Sequence, residues 1–255
     1  MKIHPHRYMK HILLCIITLS AVTPLRAEIL NVAVASNFAY TLKLLSDDFN
    51  KQTGHQLRIS SASTGKLYAQ IHHGAPFDVF LSADEKRPEL LVSENKAEPA
   101  TAYVYAQGQI VLLSNILSGN SCQDVLSSSG LKRLSIANPK TAPYGVAAKQ
   151  VMERLDLWQR LQPRLVKGEN IAQTLQFVST RNAQAGFIAK SMLQMGKQVE
   201  HACIWDVPAD MYSPINQKMV VLNKAKDKAS ARAFASYMRT DAAKEIIKST
   251  GYDVM

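Results

Sequence analysis

Small polar residues stand at four points where a predicted strand gives way to a predicted helix. The four turns are Ala35-Ser36-Asn37, Ser63-Thr64-Gly65, Pro143-Tyr144-Gly145 and Glu169-Asn170-Ile171. They offer hydroxyl groups, an amide, and the first backbone N–H groups of helices, which have no partner inside the helix and lie at the positive end of its dipole. Because groups of this kind bind anions, the four turns together predict an anion site.

The scarcity of carboxylates near these turns narrows the class of anion. Glu169 is the one acidic residue in the four turns, and the other three contain none. A protonated oxyanion such as hydrogen phosphate needs an acceptor for its own O–H, which hydrogen-bond donors do not supply. We therefore expect a fully deprotonated oxyanion. Taken one at a time, the turns would be explained by helix capping, for which serine and threonine are ordinary residues.

The second turn also contains the sequence Ser63-Thr64-Gly65-Lys66, which has the Ser-x-x-Lys spacing of serine acyltransferases that react with penicillins. In such an enzyme the serine is the nucleophile and the lysine acts as its base. The third element of those enzymes is missing, because Lys140-Thr141-Ala142 lacks the required glycine. An acyltransferase is thus the alternative of another class, and the main prediction is that the chain is not an enzyme.

Alternating strands and helices position the four turns. Short connections between them favour right-handed crossovers and parallel sheets. The predicted strands cover residues 28–35, 56–59, 78–81, 110–113, 134–137, 185–188, 204–207 and 219–222.

The sequence pattern changes near residues 106–109. This indicates that the chain leaves one α/β unit there, forms a second unit, and later returns to the first. We therefore predict two lobes joined by two crossing strands, with lobe 1 formed by 28–107 plus 211–255 and lobe 2 by 108–210. Ligands of open α/β sheets bind beyond the carboxyl ends of the strands, where all four turns fall. Two turns come from each lobe, so the predicted site lies in a cleft that closes by hinge motion.

The amino terminus has the layout of a secretory signal peptide. Basic residues precede a short apolar run over 12–22, and Ala27 offers a small residue for cleavage. Removing residues 1–27 removes four basic residues and no acidic ones, so the formal charge falls from +10 to +6. The remaining excess favours approach of an anion, and its lack of Lys/Arg runs argues against a nucleic-acid partner.

Two cysteines remain after removal of the signal peptide, Cys122 and Cys203. An even pair in an oxidising compartment is a candidate disulfide. The sequence alone does not show that the two Cβ atoms meet, so two buried free thiols are the alternative.

The ordered set of motifs over residues 28–255 resembles the periplasmic molybdate-binding proteins, which are the solute receptors of molybdate ABC transporters. The first-lobe motifs are Val-Ala-Ser-Asn-Phe, Ser-Ala-Ser-Thr-Gly-Lys-Leu-Tyr-Ala-Gln-Ile and Gly-Ala-Pro-Phe-Asp-Val-Phe-Leu-Ser-Ala-Asp. The second lobe adds Asn-Pro followed by Ala-Pro-Tyr-Gly, then Gly-Phe-Ile, and Gly-Tyr follows near the end of the chain. These matching segments are 34–38, 61–71, 74–84, 138–139, 142–145, 186–188 and 251–252.

The resemblance implies a type II periplasmic-binding-protein fold that captures molybdate, and tungstate as well, in the cleft between the lobes. It implies a monomer in the periplasm that delivers the anion to a membrane permease with a cytoplasmic ATPase, without a cofactor and without direct protein-to-metal ligands. The alternative ligand is sulfate, which carries the same charge, or another oxyanion.

The family's binding residues map onto five positions of this chain. Ser36 and Asn37 match the first turn, where side-chain and backbone groups hold the oxyanion. Thr64 matches a serine that donates its O–H and N–H, and its neighbour Ser63 is expected to cap or support. Tyr144 and Ile171 match positions whose backbone N–H groups reach the ligand from the second lobe.

One position departs from the family pattern. Some members carry a tyrosine after the strand that here ends in Gly-Phe-Ile, and this chain has Ala189 there. We expect the side chain of Asn37 or the hydroxyl of Tyr144 to replace the missing donor.

Overall fold

The structure is a computed structural model that describes residues 27–194, 200–225 and 227–254. The predicted signal peptide, apart from Ala27, lies outside these residues. Within the described ranges, no helix is both long enough and apolar enough to cross a membrane.

Ten strands and eight α-helices build the described chain, together with short 3₁₀ turns. The strands are β1 (Ile29–Ala35), β2 (Gln56–Ala62), β3 (Val79–Leu81), β4 (Tyr103–Gly108), β5 (Ile110–Ser114), β6 (Leu134–Ala137), β7 (Leu165–Gly168), β8 (Ala185–Ala189), β9 (Cys203–Asp206) and β10 (Ile215–Val221). The helices are α1 (Ala39–Thr53), α2 (Thr64–His72), α3 (Lys86–Ser93), α4 (Pro143–Arg154), α5 (Trp158–Leu161), α6 (Ile171–Ser179), α7 (Lys228–Tyr237) and α8 (Asp241–Ser249).

The strands form two five-stranded sheets with the same topology. The order is β2-β1-β3-β10-β4 in the first sheet and β7-β6-β8-β5-β9 in the second. In the first sheet only β10 runs against its neighbours, and in the second only β5 does. The predicted fold class, two mostly parallel sheets flanked by helices, is confirmed.

The chain crosses between the sheets twice. Strand β4 belongs to the first sheet and β5, which follows it closely, to the second; β9 and β10 make the return. The single reversed strand of each sheet is therefore the strand that has just arrived from the other one. We call the part of the molecule built on the first sheet lobe 1 and the part built on the second sheet lobe 2.

Each sheet is covered on both faces by apolar side chains, as expected for central strands of α/β folds. In β5 the side chains of Ile110 and Leu112 face one cluster of buried residues, whereas Val111 and Leu113 face another. The larger cluster of lobe 2 also contains Ala35 and Ala83 from lobe 1. The two lobes are thus packed together where strands of both sheets end.

Strand β10 differs from its predicted range. It begins at Ile215 rather than at residue 219, and Leu222 lies beyond its end in an isolated bridge to Ala97. The polar segment Asn216-Gln217-Lys218 lies outside the predicted strand, but it pairs with β4.

The two cysteines form a disulfide. Cys122 lies in a 3₁₀ turn and Cys203 begins β9, and their Cα atoms are 5.5 Å apart. The bond ties an edge strand of the second sheet to a segment 81 residues earlier in the chain. Of the two alternatives left open by the sequence, the structure contains the bonded one.

Candidate functional site

The first turn is a buried 3₁₀ turn, Ser36–Phe38, directly after β1. The apolar run of β1 ends here because Ser36 and Asn37 are polar, and Phe38 anchors the turn in the core between the rings of Tyr105 and Tyr252. Ser36 is 7% exposed and Asn37 4% exposed. Their polar groups are therefore held in the interior rather than in bulk water.

The second turn starts α2 at Thr64, with Ser63 as its N-cap residue. The Thr64 Oγ1 accepts a hydrogen bond of 3.1 Å from the backbone N–H of Ala83, which leaves its own hydroxyl hydrogen free to donate. The Ser63 side chain makes no capping bond, and among buried side-chain polar atoms of the described chain only Ser63 Oγ and Ser135 Oγ lack a partner. Ser63 therefore does not act as the cap that its position suggested.

The third and fourth turns start two helices of lobe 2. Pro143 is the first residue of α4 and fixes its entry, so the N–H of Tyr144 falls in the first helical turn. Asn170 caps α6 by accepting a bond of 3.1 Å from the N–H of Gln173, which leaves Ile171 as the first helical residue. The first N–H groups of a helix have no intrahelical partner, so both residues present free donors.

Contacts between the lobes bring the four turns together. The first turn, Ser36–Phe38, contacts α6. The N–H of Gly65 donates a 2.8 Å hydrogen bond to the carbonyl of Thr141, and a side chain at Gly65 would press on that same residue. The lobes are therefore closed on each other.

The five predicted site residues all lie in this closed region, and all are at least nine-tenths buried. They are Ser36, Asn37, Thr64, Tyr144 and Ile171.

The expected replacements for the family tyrosine are engaged elsewhere in this structure. Asn37 Nδ2 donates to Gln217 Oε1 at 2.8 Å and to the hydroxyl of Tyr252 at 3.0 Å, which uses both of its hydrogens. The Tyr144 hydroxyl accepts from Gln217 Nε2 at 3.4 Å and donates to the hydroxyl of Tyr252, and it lies so close to Gly108 that any side chain there would collide with it. Neither group is a spare donor, and Ala189 itself is fully buried.

Sequence reasoning missed the residues that join these groups. Gln217, Tyr252 and Ser191 are all buried and hydrogen-bonded around Asn37. Only the terminal Gly-Tyr motif drew attention to one of them. Gln217 stands between polar neighbours outside the predicted strand 219–222, so nothing local to the sequence indicates its burial.

Burial also fixes the charge state of this region. It raises the pKa of Tyr144 and of Tyr105 well above the ordinary tyrosine value, and raises the pKa of Tyr252 to about 12. The three phenols are therefore neutral throughout the physiological range. The five candidate residues thus offer neutral donors and no carboxylate, which suits a fully ionised anion because such an anion needs no acceptor.

The Ser-x-x-Lys pair is not assembled as a nucleophile and its base. Ser63 Oγ has no hydrogen-bond partner, and Lys66 Nζ instead forms an ion pair with Glu169 of lobe 2. Both side chains of that pair are about half exposed, so it lies at the mouth of the closed cleft. Among the described residues, no group of three His, Cys, Asp or Glu side chains could hold a metal ion.

The sequence and the fold of this chain are similar to those of known proteins. A molybdate-binding protein ModA of Azotobacter vinelandii is 43% identical over 228 residues, covering 89% of this chain and 90% of its own length. One of Rhodobacter capsulatus is 40% identical over 220 residues, covering 86% of each chain. The solved structure of the Azotobacter vinelandii periplasmic molybdate-binding protein matches with a TM-score of 0.83 at 38% identity, over 89% of this chain and 99% of that one.

A family model described as bacterial extracellular solute-binding protein matches residues 30–253. This match takes in both sheets and the helices that flank them. The family consists of receptors rather than enzymes, so the acyltransferase alternative is wrong. The chain belongs to the family of bacterial extracellular solute-binding proteins.

Proposed function

We propose that this protein is a receptor for molybdate, and for tungstate as an anion of the same shape and charge. The observation that carries the proposal is the convergence of four turns whose five candidate residues are buried and offer hydrogen-bond donors without a carboxylate. Its relatives named molybdate-binding proteins, at 43% and 40% identity over most of the chain, support the choice of anion.

Five residues hold the anion in this proposal. Ser36 and Thr64 donate their hydroxyl groups, and the backbone N–H groups of Asn37, Tyr144 and Ile171 complete the shell. Hydrogen bonds to an ionised oxygen are about twice as strong as neutral ones, so a handful of them offsets the cost of removing a dianion from water. Molybdenum is held through its oxygens and has no protein ligand.

The receptor works outside the cytoplasmic membrane in this proposal, as a monomer exported by the predicted signal peptide. It delivers the closed, anion-loaded form to a membrane permease powered by a cytoplasmic ATPase. Membership of an extracellular solute-binding family and similarity to a periplasmic protein of Azotobacter vinelandii support the extracytoplasmic location. In this proposal lobe 1 comprises residues 28–107 plus 211–255, and lobe 2 comprises residues 108–210. The limits are supported by the chain passing from one sheet to the other near these residues.

A thermal-shift panel of molybdate, tungstate, sulfate and phosphate tests the proposal. A ligand that binds only the folded state stabilises it in proportion to the logarithm of its concentration over Kd, and so raises the melting temperature. We expect large shifts with molybdate and tungstate and none with phosphate, which carries a proton that needs an acceptor. A larger shift with sulfate than with molybdate would make the protein a sulfate receptor, and no shift with any of the four would reject the proposal.

A further inference from the structure

We propose that Gln217 is a positioning residue that holds the binding turns of the two lobes in register with each other. Its role in ligand affinity rests on the proposed molybdate function, whereas its role in ordering the turns does not. The side chain acts through Asn37 and Tyr144.

Gln217 contacts one candidate residue from each lobe. It lies on β10 of the first sheet and is fully buried. Its Oε1 accepts from Asn37 Nδ2 at 2.8 Å, and its Nε2 lies 3.4 Å from the hydroxyl of Tyr144. Asn37 belongs to the turn after β1 in lobe 1, and Tyr144 to the first turn of α4 in lobe 2.

The strand pairing around Gln217 is adapted to this arrangement. In the β10–β4 ladder Gln217 stands opposite Ala106 and Lys218 opposite Val104, so Tyr105 is an additional residue in β4. Such a bulge re-aims a side chain. Here the Tyr105 hydroxyl lies 3.2 Å from Gln217 Oε1, which gives the amide oxygen a second donor. The carboxamide is thereby fixed in one orientation.

A second path from Asn37 reaches lobe 2 through Tyr252. The Tyr252 hydroxyl accepts from Asn37 Nδ2 and donates to the Asn37 carbonyl at 2.8 Å. Ser191 Oγ, from lobe 2, lies 2.9 Å from the same hydroxyl. The side-chain amide and the backbone carbonyl of Asn37 are therefore both held by hydrogen bonds to Tyr252.

Only a carboxamide satisfies all the partners of Gln217. Asn37 needs an acceptor, and Tyr144 is met by a donor. Tyr105 shares its hydrogen between Gln217 Oε1 and the Ser82 carbonyl. Glutamate supplies acceptors without a donor, and methionine supplies neither to a useful extent while keeping similar length. The contact with Tyr144 crosses between lobes, so it exists only while they are closed. A neutral bond of this kind favours closure weakly, which leaves the anion to complete it.

The test compares Gln217→Met with Gln56→Met, a matched change at an exposed glutamine on β2 of the same sheet. Hydrogen–deuterium exchange is measured on ligand-free protein. We expect amides of 36–38, whose contact with Gln217 lies within lobe 1, to exchange faster in Gln217→Met and at the wild-type rate in Gln56→Met. Calorimetric titration with molybdate should show roughly tenfold weaker binding for Gln217→Met, as for the loss of one well-ordered hydrogen bond.

The variant Tyr144→Phe provides a second test that applies even if Gln217→Met does not fold. It removes only the hydroxyl that Gln217 meets and keeps the backbone N–H, so a purely structural role predicts unchanged affinity. We expect weaker molybdate binding, and a double variant less than additive, because both changes break one contact.

Three results would overturn the inference: wild-type exchange rates in Gln217→Met, wild-type affinity in that variant, or wild-type affinity in Tyr144→Phe. Failure of the wild-type protein to bind molybdate rejects the proposed function instead, and the exchange measurement still decides whether Gln217 orders the turns.

Discussion

At the scale of single residues, Thr64 has two separate tasks. Its Oγ1 accepts from the N–H of Ala83, and its hydroxyl hydrogen is directed by that bond toward another acceptor. Alanine leaves the buried N–H of Ala83 unpaired, whereas serine keeps both functions.

We expect Thr64→Ala to lose about 1–3 kcal/mol of unfolding free energy and to bind molybdate at least about tenfold more weakly. Thr64→Ser should behave as wild type in both respects. Urea unfolding and calorimetric titration measure the two effects separately. An alanine variant with wild-type affinity would remove Thr64 from the site.

Ser63 should tolerate replacement in spite of its N-cap position. Its hydroxyl has no partner and does not cap α2. We expect Ser63→Ala to change the unfolding free energy by no more than about 0.5 kcal/mol. The matched control is Thr240→Ala, because the Thr240 side chain does cap α8 by accepting from Ala243, and losing such a cap costs about 1 kcal/mol. Equal losses in the two variants would contradict the structure.

At the scale of secondary-structure elements, the disulfide fastens the edge of the second sheet. Among the strands that the structure describes, β9 pairs only with β5, and Cys203 at its start is bonded to Cys122. Cross-linking residues 81 apart restricts the unfolded chain. We expect Cys122→Ala/Cys203→Ala to lose about 2–5 kcal/mol of unfolding free energy.

Molybdate affinity of the double variant should be retained, since neither cysteine belongs to a candidate turn. Wild-type protein with and without reductant is the control, and the reduced form should unfold at the same denaturant concentration as the variant. An unchanged unfolding midpoint in both would show that the bond contributes nothing.

Most elements could be predicted because their apolar runs and turn residues act locally. The strand ending at Ala35 and the helix beginning at Thr64 are examples. The start of β10 could not be predicted, because Asn216-Gln217-Lys218 is polar and pairs with β4 only through the tertiary fold.

The same limit applies to the site. The types of residue at the turns indicated an anion, and the turns do meet in the closed structure. Whether a polar group is free to bind the ligand or is hydrogen-bonded within the protein depends on residues that are distant in the sequence. Asn37 illustrates this, because its amide hydrogens are taken by Gln217 and Tyr252, 180 and 215 residues away.

At the scale of the whole molecule, the buried tyrosines set an alkaline limit to stability. Burial raises the pKa of Tyr105, Tyr144 and Tyr252 in the folded state, the last to about 12. A group whose folded pKa is raised contributes stability that is fully present below its unfolded pKa, which is about 10, and is lost as the pH rises further.

We expect the unfolding free energy to fall between about pH 10 and 12, with a shallower fall in Tyr252→Phe. Urea unfolding at several pH values measures both slopes. Identical slopes in the two proteins would mean that Tyr252 ionises equally easily in the folded and unfolded chain.

The late position of β10 in the chain also predicts an order of folding. All strands of the second sheet lie between Ile110 and Asp206, so that sheet can form from one continuous stretch. In the first sheet β10 lies between β3 and β4 and pairs with both, so the sheet is incomplete until β10 is added. Val79 of β3, for example, pairs with Val221 of β10. Bringing together partners so far apart costs loop entropy before any contact forms.

We therefore expect lobe 2 to acquire protected amides first during refolding, and lobe 1 to follow when β10 inserts, which pulsed hydrogen exchange can resolve. Gln217 arrives on that last strand. The receptor thus gains its organised binding turns in the final step of folding, so an incompletely folded chain cannot sequester the anion.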